Sequence, residues 1–138
     1  RDARIVFLDD SIVRGTQLKD NVVKLRECGV KEVHIRIACP PLIYPCCFLN
    51  FSTSRSTFDL FARRVIRDLE GTSELTDEIL KPYSDPDSEK YKEMVRVMCQ
   101  HLQLDSLQFQ RLDDLVKAIG LPKEQLCTHC WDNSSYME

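Results

Sequence analysis

The strongest constraint on the fold is a short apolar run near the start of the chain, followed at once by two acidic residues. The four residues 5–8 are all apolar, which is typical of a strand buried on both faces of a parallel sheet. Asp9 and Asp10 come next, and apolar residues then recur at helical spacing from Leu18 to Cys28. The sequence therefore predicts a strand, an acidic pair, a small polar loop and a helix, in that order.

The loop between this strand and this helix, residues 11–16, has the composition of an anion site. A loop at a helix start presents backbone N–H groups and the positive end of the helix dipole to a ligand. Gly15 allows a close approach of the backbone, and Ser11, Arg14 and Thr16 can add donors. The acidic pair would repel a phosphate, so it suits ribose hydroxyls or a hydrated magnesium ion better. The simpler alternative is a D-D-S sequence that only caps the helix.

The stretch D-D-S-I-V-R-G-T resembles the phosphoribosyl pyrophosphate motif of type I phosphoribosyltransferases, in the form found in amidophosphoribosyltransferases. The resemblance implies an α/β fold: a partial phosphoribosyltransferase domain with a Rossmann-like parallel sheet, a helical insertion and a cysteine-bearing C-terminal tail. It implies that Asp9 and Asp10 are catalytic and hold magnesium. It also implies a substrate-binding set made of Asp9, Asp10, Ser11, Ile12, Val13, Arg14, Gly15 and Thr16.

The activity implied by this resemblance is that of a glycosyltransferase at the entry to de novo purine biosynthesis. Ammonia released from glutamine displaces pyrophosphate from phosphoribosyl pyrophosphate, which gives 5-phosphoribosylamine. The family carries a glutaminase domain on its N-terminal side, and nothing in this sequence matches that domain, because the catalytic strand begins just after Arg1. We therefore expect the chain to be an incomplete part of the enzyme, with the glutaminase domain as its partner, and the full-length enzyme to be a homo-oligomer.

A pair of cysteines in the C-terminal tail, residues 121–138, is the second informative motif. Cys127 and Cys130 form a C-x-x-C sequence, which occurs in zinc sites, thiol redox pairs and iron-sulfur clusters. The spacing alone does not choose among these three uses. A redox pair normally opens a helix after a strand, so its place in a tail argues against that use. A zinc site would need two more ligands.

The C-T-H-C-W tail and the Y-P-C sequence that ends at Cys46 resemble cluster-containing amidophosphoribosyltransferases. The resemblance implies a 4Fe-4S cluster with a structural role, held by Cys46, Cys127 and Cys130. Cys47 competes with Cys46 for the same position. The fourth ligand of the family has no counterpart in the sequence, and the candidates for it are Cys28, Cys39 and Cys47.

The rest of the chain is predicted from periodicity and from breaker residues. His34 and the arginines at 63, 64 and 67 are predicted to be solvated. Residues 1–120 form the transferase portion on this interpretation, and 121–138 form the tail. The further elements are a strand over 31–38 nearer a sheet edge, a helix from Ser56 or Thr57 to Gly71, a linker or surface excursion over 72–89, a helix over 89–101, an edge strand over 105–110 and a helix over 112–119.

Composition limits the other function classes. The net charge of −3, without a basic cluster between aromatic residues, argues against nucleic acid as a partner. No apolar run approaches the roughly 20 residues of a membrane span, and the sequence shows no signal peptide pattern. Seven irregularly spaced cysteines favour reduced thiols in the cytoplasm. The alternatives are a regulatory module that binds phosphoribosyl pyrophosphate without catalysis, and a zinc-stabilised interaction domain.

Overall fold

The computed structural model describes residues 2–46, 48 and 56–134. Cys47, an alternative cluster ligand in the sequence analysis, lies outside the described residues. Within these ranges three strands form one sheet: β1 (Arg4–Asp9), β2 (Glu32–Ile37) and β3 (Ser106–Phe109). The helices are α1 (Thr16–Glu27), α2 (Phe61–Glu70), α3 (Asp77–Leu80), α4 (Glu89–His101), α5 (Leu112–Ile119) and α6 (His129–Asp132). Neither these helices nor the shorter turns are long and apolar enough to cross a membrane.

The sheet is parallel throughout, in the order β1-β2-β3. Ile35 pairs with Phe7 on one side and with Leu107 on the other. The predicted parallel α/β fold is thereby confirmed, as is the edge position of β3. The prediction that β2 lies nearer an edge is wrong, because β2 is the central strand. Its polar side chains are accommodated there by neighbours: the Nδ1 atom of His34 lies 2.8 Å from the Ser106 hydroxyl oxygen.

The first strand is far more exposed than its sequence predicts. Val6 is 61% exposed and Leu8 is 82% exposed, so the prediction that β1 is buried on both faces is wrong for this structure. The apolar run predicts only that a strand forms, whereas burial requires packed layers on both faces. Among the described elements β2 supplies nearly all the contacts of β1.

The core lies between β2, β3 and helices α2 and α4. Ile35, Ile66, Met94 and Met98 are all essentially inaccessible to solvent, at the spacing that the sequence predicted for both helices. The side-chain oxygen of Ser88 accepts from the Tyr91 amide at the start of α4. This cap and the buried face together explain why the helix over 89–101 was predictable.

The segment 72–89, predicted to be a linker or surface excursion, packs on this core. It contains α3 and a 3₁₀ turn over Lys81–Ser84. Leu80 is 1% exposed and Tyr83 is 2% exposed, and the Tyr83 hydroxyl donates to the Glu70 carboxylate at 2.6 Å. The prolines and acidic residues of the segment predict its turns. They do not predict that the side chains of Leu80 and Tyr83 are buried.

Arg63 in α2 is buried, although the amphipathic pattern predicts that it lies on the solvated face of the helix. Its Nε donates to the carbonyl oxygen of Ile43 at 2.5 Å, and its guanidinium lies 5.5 Å from the centre of the Tyr44 ring. The amphipathic pattern misplaces Arg63 because the helix is covered on two sides: by the core and by the segment that carries Cys46.

Candidate functional site

The acidic pair lies at the carboxyl end of β1. Asp9 is the last residue of the strand and Asp10 follows it, and both are exposed. The amide of Asp10 donates to the Asp9 carboxylate at 2.9 Å, and the Ser11 hydroxyl donates to the Asp10 carboxylate at 3.3 Å. No described cation lies within ion-pair distance of either carboxylate. The pair therefore presents two carboxylates with no cation from the described part of the chain to neutralise them.

The 11–16 loop leads from these acids into α1. Gly15 is the N-cap residue of α1 and has a φ of +75°, in the left-handed region. A Cβ added at Gly15 would lie 3.1 Å from a ring carbon of Phe61. Because glycine has no side chain to cap the helix, the first amides of α1 are left for a ligand or for water.

The first residues of helix α2 support this loop by hydrogen bonds. Ile12 is 5% exposed and belongs to the core. The Phe61 amide donates to the carbonyl oxygen of Val13 at 2.8 Å, and the Arg64 guanidinium donates to that of Arg14 at 2.6 Å. Sequence reasoning missed Phe61 and Arg64 as supports of the loop. Arg14 and Arg64 are separated by 50 residues, so no local pattern in either segment marks the contact.

A cavity of about 720 Å³, here called the loop cavity, is lined by Asp9, by residues 11–18 and by Asn21. Its volume is in the range of small-molecule sites. The structure thus brings Asp9 together with the predicted residues 11–16 around one space. Asp10, the remaining residue of the predicted set, does not line the loop cavity, and its carboxylate accepts a hydrogen bond from the Ser11 hydroxyl. The lining contains one carboxylate, Asp9, beside one guanidinium, Arg14.

The three predicted cluster cysteines are neighbours. The amides of Ile43 and Tyr44 donate to the carbonyl oxygen of Cys130 at 2.9 and 3.0 Å, which joins the tail to the segment that carries Cys46. Burial, followed by the charge and hydrogen bond of Cys46 and the charge of Cys127, raises the pKa of the Cys130 thiol to about 12. Cys46 is buried, whereas Cys127 is exposed.

The candidates for a fourth ligand differ in position. Cys28 follows α1 and is exposed. The Cys39 thiol donates to the Pro40 carbonyl at 3.3 Å, and burial raises its pKa to about 11. In the described residues, no three or more His, Cys, Asp or Glu side chains are arranged to hold a metal ion. The cluster and the magnesium site both stay predictions.

Comparison with solved structures assigns the fold. The structure of glutamine phosphoribosylpyrophosphate amidotransferase from B. subtilis, complexed with ADP and GMP, superposes with a TM-score of 0.64 at 27% sequence identity. The match covers 95% of this chain and 23% of that chain. The sheet, the helices and the loop after β1 are therefore those of part of a phosphoribosyl pyrophosphate-dependent transferase.

Curated relatives agree with the structural match. Amidophosphoribosyltransferase of Mycobacterium tuberculosis is 31% identical over 139 aligned residues, which cover 100% of this chain and 21% of the relative. The same enzyme of Pyrococcus horikoshii is 63% identical over 43 residues, 31% of this chain and 10% of the relative. No protein-family model matches. The chain belongs to the amidophosphoribosyltransferases, which are glycosyltransferases, and spans about a fifth of the length of the M. tuberculosis relative.

Proposed function

We propose that this chain supplies the phosphoribosyl pyrophosphate-binding part of an amidophosphoribosyltransferase. The observation that carries the proposal is the loop cavity, in which Asp9 at the end of β1 and the 11–16 loop line one space of about 720 Å³. The carboxyl ends of parallel strands are where α/β folds bind their ligands. A phosphorylated sugar has both an anionic end and a hydroxylated ring, which match the two halves of this lining.

The 11–16 loop binds the 5′-phosphate on this proposal. The first amides of α1 and the positive end of its dipole face the anion. The Ser11 and Thr16 hydroxyls add neutral donors, and Arg14 adds a charge-assisted donor. Because the Phe61 and Arg64 donors hold the loop carbonyls in place, the amides are oriented before the ligand arrives, which lowers the entropic cost of binding.

Asp9 and Asp10 bind the ribose hydroxyls and Mg²⁺. The donor chemistry fits: two adjacent, exposed carboxylates supply oxygen ligands, and Mg²⁺ usually takes one or two carboxylates and keeps several waters. When bound, Mg²⁺ supplies positive charge against the pyrophosphate group. Asp9 lines the loop cavity whereas Asp10 does not, so we assign the ribose contact to Asp9 first.

The complete reaction requires more than this segment. Ammonia from glutamine attacks the anomeric carbon, the new C–N bond forms as the C–O bond to pyrophosphate breaks, and the nitrogen then loses a proton. Positive charge develops on the sugar ring in such a displacement, and the Asp9 carboxylate beside the ring stabilises it. The loop holds the phosphate end and so fixes the position of the anomeric carbon. The ammonia comes from the glutaminase part of the enzyme.

The cysteine site has a structural role on this proposal. Iron-sulfur clusters of the 4Fe-4S type take four thiolates, and Cys46, Cys127 and Cys130 would hold three corners. The hydrogen bonds from the Ile43 and Tyr44 amides to the Cys130 carbonyl oxygen, which place the tail beside the segment that carries Cys46, support this assignment. A bound cluster would cross-link the tail to the segment that carries Cys46. Such a cross-link closes a long loop of the chain and thereby stabilises the fold.

Titration calorimetry with phosphoribosyl pyrophosphate and Mg²⁺ tests the substrate assignment. The wild-type chain should bind, and the double variant Asp9→Asn, Asp10→Asn should bind at least about tenfold more weakly, since each carboxylate contributes a charge-assisted contact worth about 1.5–3 kcal/mol. The control Asp20→Asn removes an exposed acid of α1 that does not line the loop cavity and should bind like wild type. Unchanged affinity in the double variant contradicts the proposal.

The catalytic part is tested in a full-length amidophosphoribosyltransferase that carries this segment. The same double variant should lose ribosylamine synthesis and keep glutamine hydrolysis. Retained synthesis contradicts the assignment of Asp9 and Asp10. If the segment binds substrate but its full-length carrier makes no ribosylamine even with both aspartates, the noncatalytic binding module is the better description.

A further inference from the structure

A smaller cavity of about 210 Å³, here called the basic cavity, borders the Arg14–Thr16 turn and is otherwise separate from the loop cavity. Its walls come from α1, α2 and the end of α4. Phe61 forms part of the apolar wall, with the His101 ring edge-on at a centroid distance of 6.3 Å. The basic side chains that line it are those of Arg14, Lys19, Arg64, Arg67 and His101.

The charges of the basic cavity are not balanced by acids in its lining. Asp68 is the single acidic residue of that lining, and it is held by Arg67 at 2.8 Å. Arg64 uses its donors on backbone carbonyls, including that of Arg14. Within the described part of the chain, Arg14 and Lys19 lie within ion-pair distance of no carboxylate. Two exposed cations thus remain at the mouth of a concave space with net positive charge, an arrangement that attracts and concentrates anions.

The size of the basic cavity limits the anion. Small-molecule sites usually measure about 300–1,000 Å³, so 210 Å³ is small for a whole nucleotide. The space is large enough for one phosphoryl group with part of its hydration shell. Arginine and lysine are also the side chains that most often bind phosphate oxygens.

We propose that the basic cavity is a second anion site, which binds a small phosphate-bearing ligand apart from the sugar-phosphate site. Lys19 and Arg14 bind the phosphoryl oxygens at the mouth, and Arg67 provides a further donor from α2. The basic cavity needs neither the acidic pair nor the residues of the loop cavity before Arg14, and two of its donors, Lys19 and Arg67, have no part in the proposed transferase function. It does share the Arg14–Thr16 turn, so the two ligands should influence each other's affinity reciprocally.

Inorganic phosphate is the probe, added to the full chain at constant ionic strength with sodium chloride as the balancing salt. Amide and side-chain NMR signals report the position of binding. Phosphate should shift the signals of Lys19, Arg67 and His101 saturably. Shifts confined to residues 11–16 show phosphate in the loop cavity only and overturn the proposal. The absence of saturable shifts up to tens of millimolar phosphate overturns it as well.

The matched variants are Lys19→Glu and Lys24→Glu, which change the net charge equally on the same helix. Both lysines are exposed, and Lys24 does not line the basic cavity. Lys19→Glu should weaken phosphate binding at least tenfold and Lys24→Glu less than twofold. Equal weakening in both variants shows a response to overall charge and overturns the site. Arg67→Gln serves as a second variant on α2, and it too should weaken phosphate binding at least threefold.

Discussion

The amide of Ile43 donates a hydrogen bond of 2.9 Å to the carbonyl oxygen of Cys130. The two residues belong to distant parts of the sequence, and this bond sets the Cys46 segment beside the C-terminal tail. Arg63 completes the arrangement from α2, since its Nε donates to the carbonyl of the same Ile43. One residue, Ile43, therefore connects the tail, the cysteine segment and the helix that also supports the 11–16 loop.

Replacing Arg63 with methionine should destabilise the chain. The apolar stem is kept, but the buried Ile43 carbonyl loses a charged donor, which costs about 2 kcal/mol in free energy of unfolding. Urea denaturation followed by circular dichroism measures the loss. In the control, Arg96→Met removes an exposed pair with Glu93, which should change stability by less than about 1 kcal/mol. Equal losses in the two variants would show that the Arg63 contact contributes no more than a surface pair.

Acid should remove a contribution that Asp105 makes to stability. The Val33 amide and then the Arg26 guanidinium hold the pKa of the Asp105 carboxyl below its usual range, with contacts of 2.7 and 2.6 Å. A lowered pKa in the folded state stabilises the fold above the unfolded pKa of about 4, and this contribution is lost as pH falls through the folded value.

The variant Asp105→Asn should therefore lose stability at pH 7 and approach wild type near pH 2. Urea midpoints measured across this pH range report the difference. Asp20→Asn, on the exposed face of α1, should follow the wild-type curve. A constant difference between Asp105→Asn and wild type at every pH would contradict the role of the ionised carboxylate.

Gly15 and Gly120 form a matched pair for testing the loop. Both have positive φ, +75° and +79°, so alanine at either site should cost about 1 kcal/mol in backbone strain. Only at Gly15 would the new Cβ meet a neighbour, the Phe61 ring at 3.1 Å, whereas nothing lies within 4 Å at Gly120. Gly15→Ala should therefore weaken phosphoribosyl pyrophosphate binding severalfold in calorimetry, and Gly120→Ala should leave it unchanged. Similar affinities for the two variants would argue against a ligand on this loop.

Iron content distinguishes the cysteines. After anaerobic reconstitution with iron and sulfide, the wild-type chain should contain iron and acid-labile sulfide and show the visible sulfur-to-iron charge-transfer absorption. The variant Cys130→Ser should lose most of all three signals. Cys28→Ser is the control, because Cys28 is exposed at the end of α1 and should leave them unchanged. Zinc in place of iron, or iron retained in Cys130→Ser, would contradict the cluster assignment.

The amount that could be predicted differs between parts of the chain. Helices α4 and α5 and the parallel strands follow from periodicity, caps and breakers, because these depend on neighbours in sequence. The 11–16 loop was recognised from its residue types. The support of that loop by Phe61 and Arg64 could not be predicted, since it depends on how the start of α2 packs against Val13 and Arg14. The burial of Arg63 could not be predicted for the same reason, because it results from contact with Ile43 and Tyr44, which are distant in sequence.

The order of strand, acidic pair, loop and helix, and the chemistry of the loop, can be read from the residues alone, because backbone propensity and donor type are local properties. Which strand is central, which arginine is buried, and that Asp9 lines the loop cavity whereas Asp10 does not, are set by the tertiary structure. It also brought Cys46 beside Cys130. These outcomes depend on packing between segments far apart in the chain, where burial and hydrogen-bond satisfaction are fixed only when the layers meet.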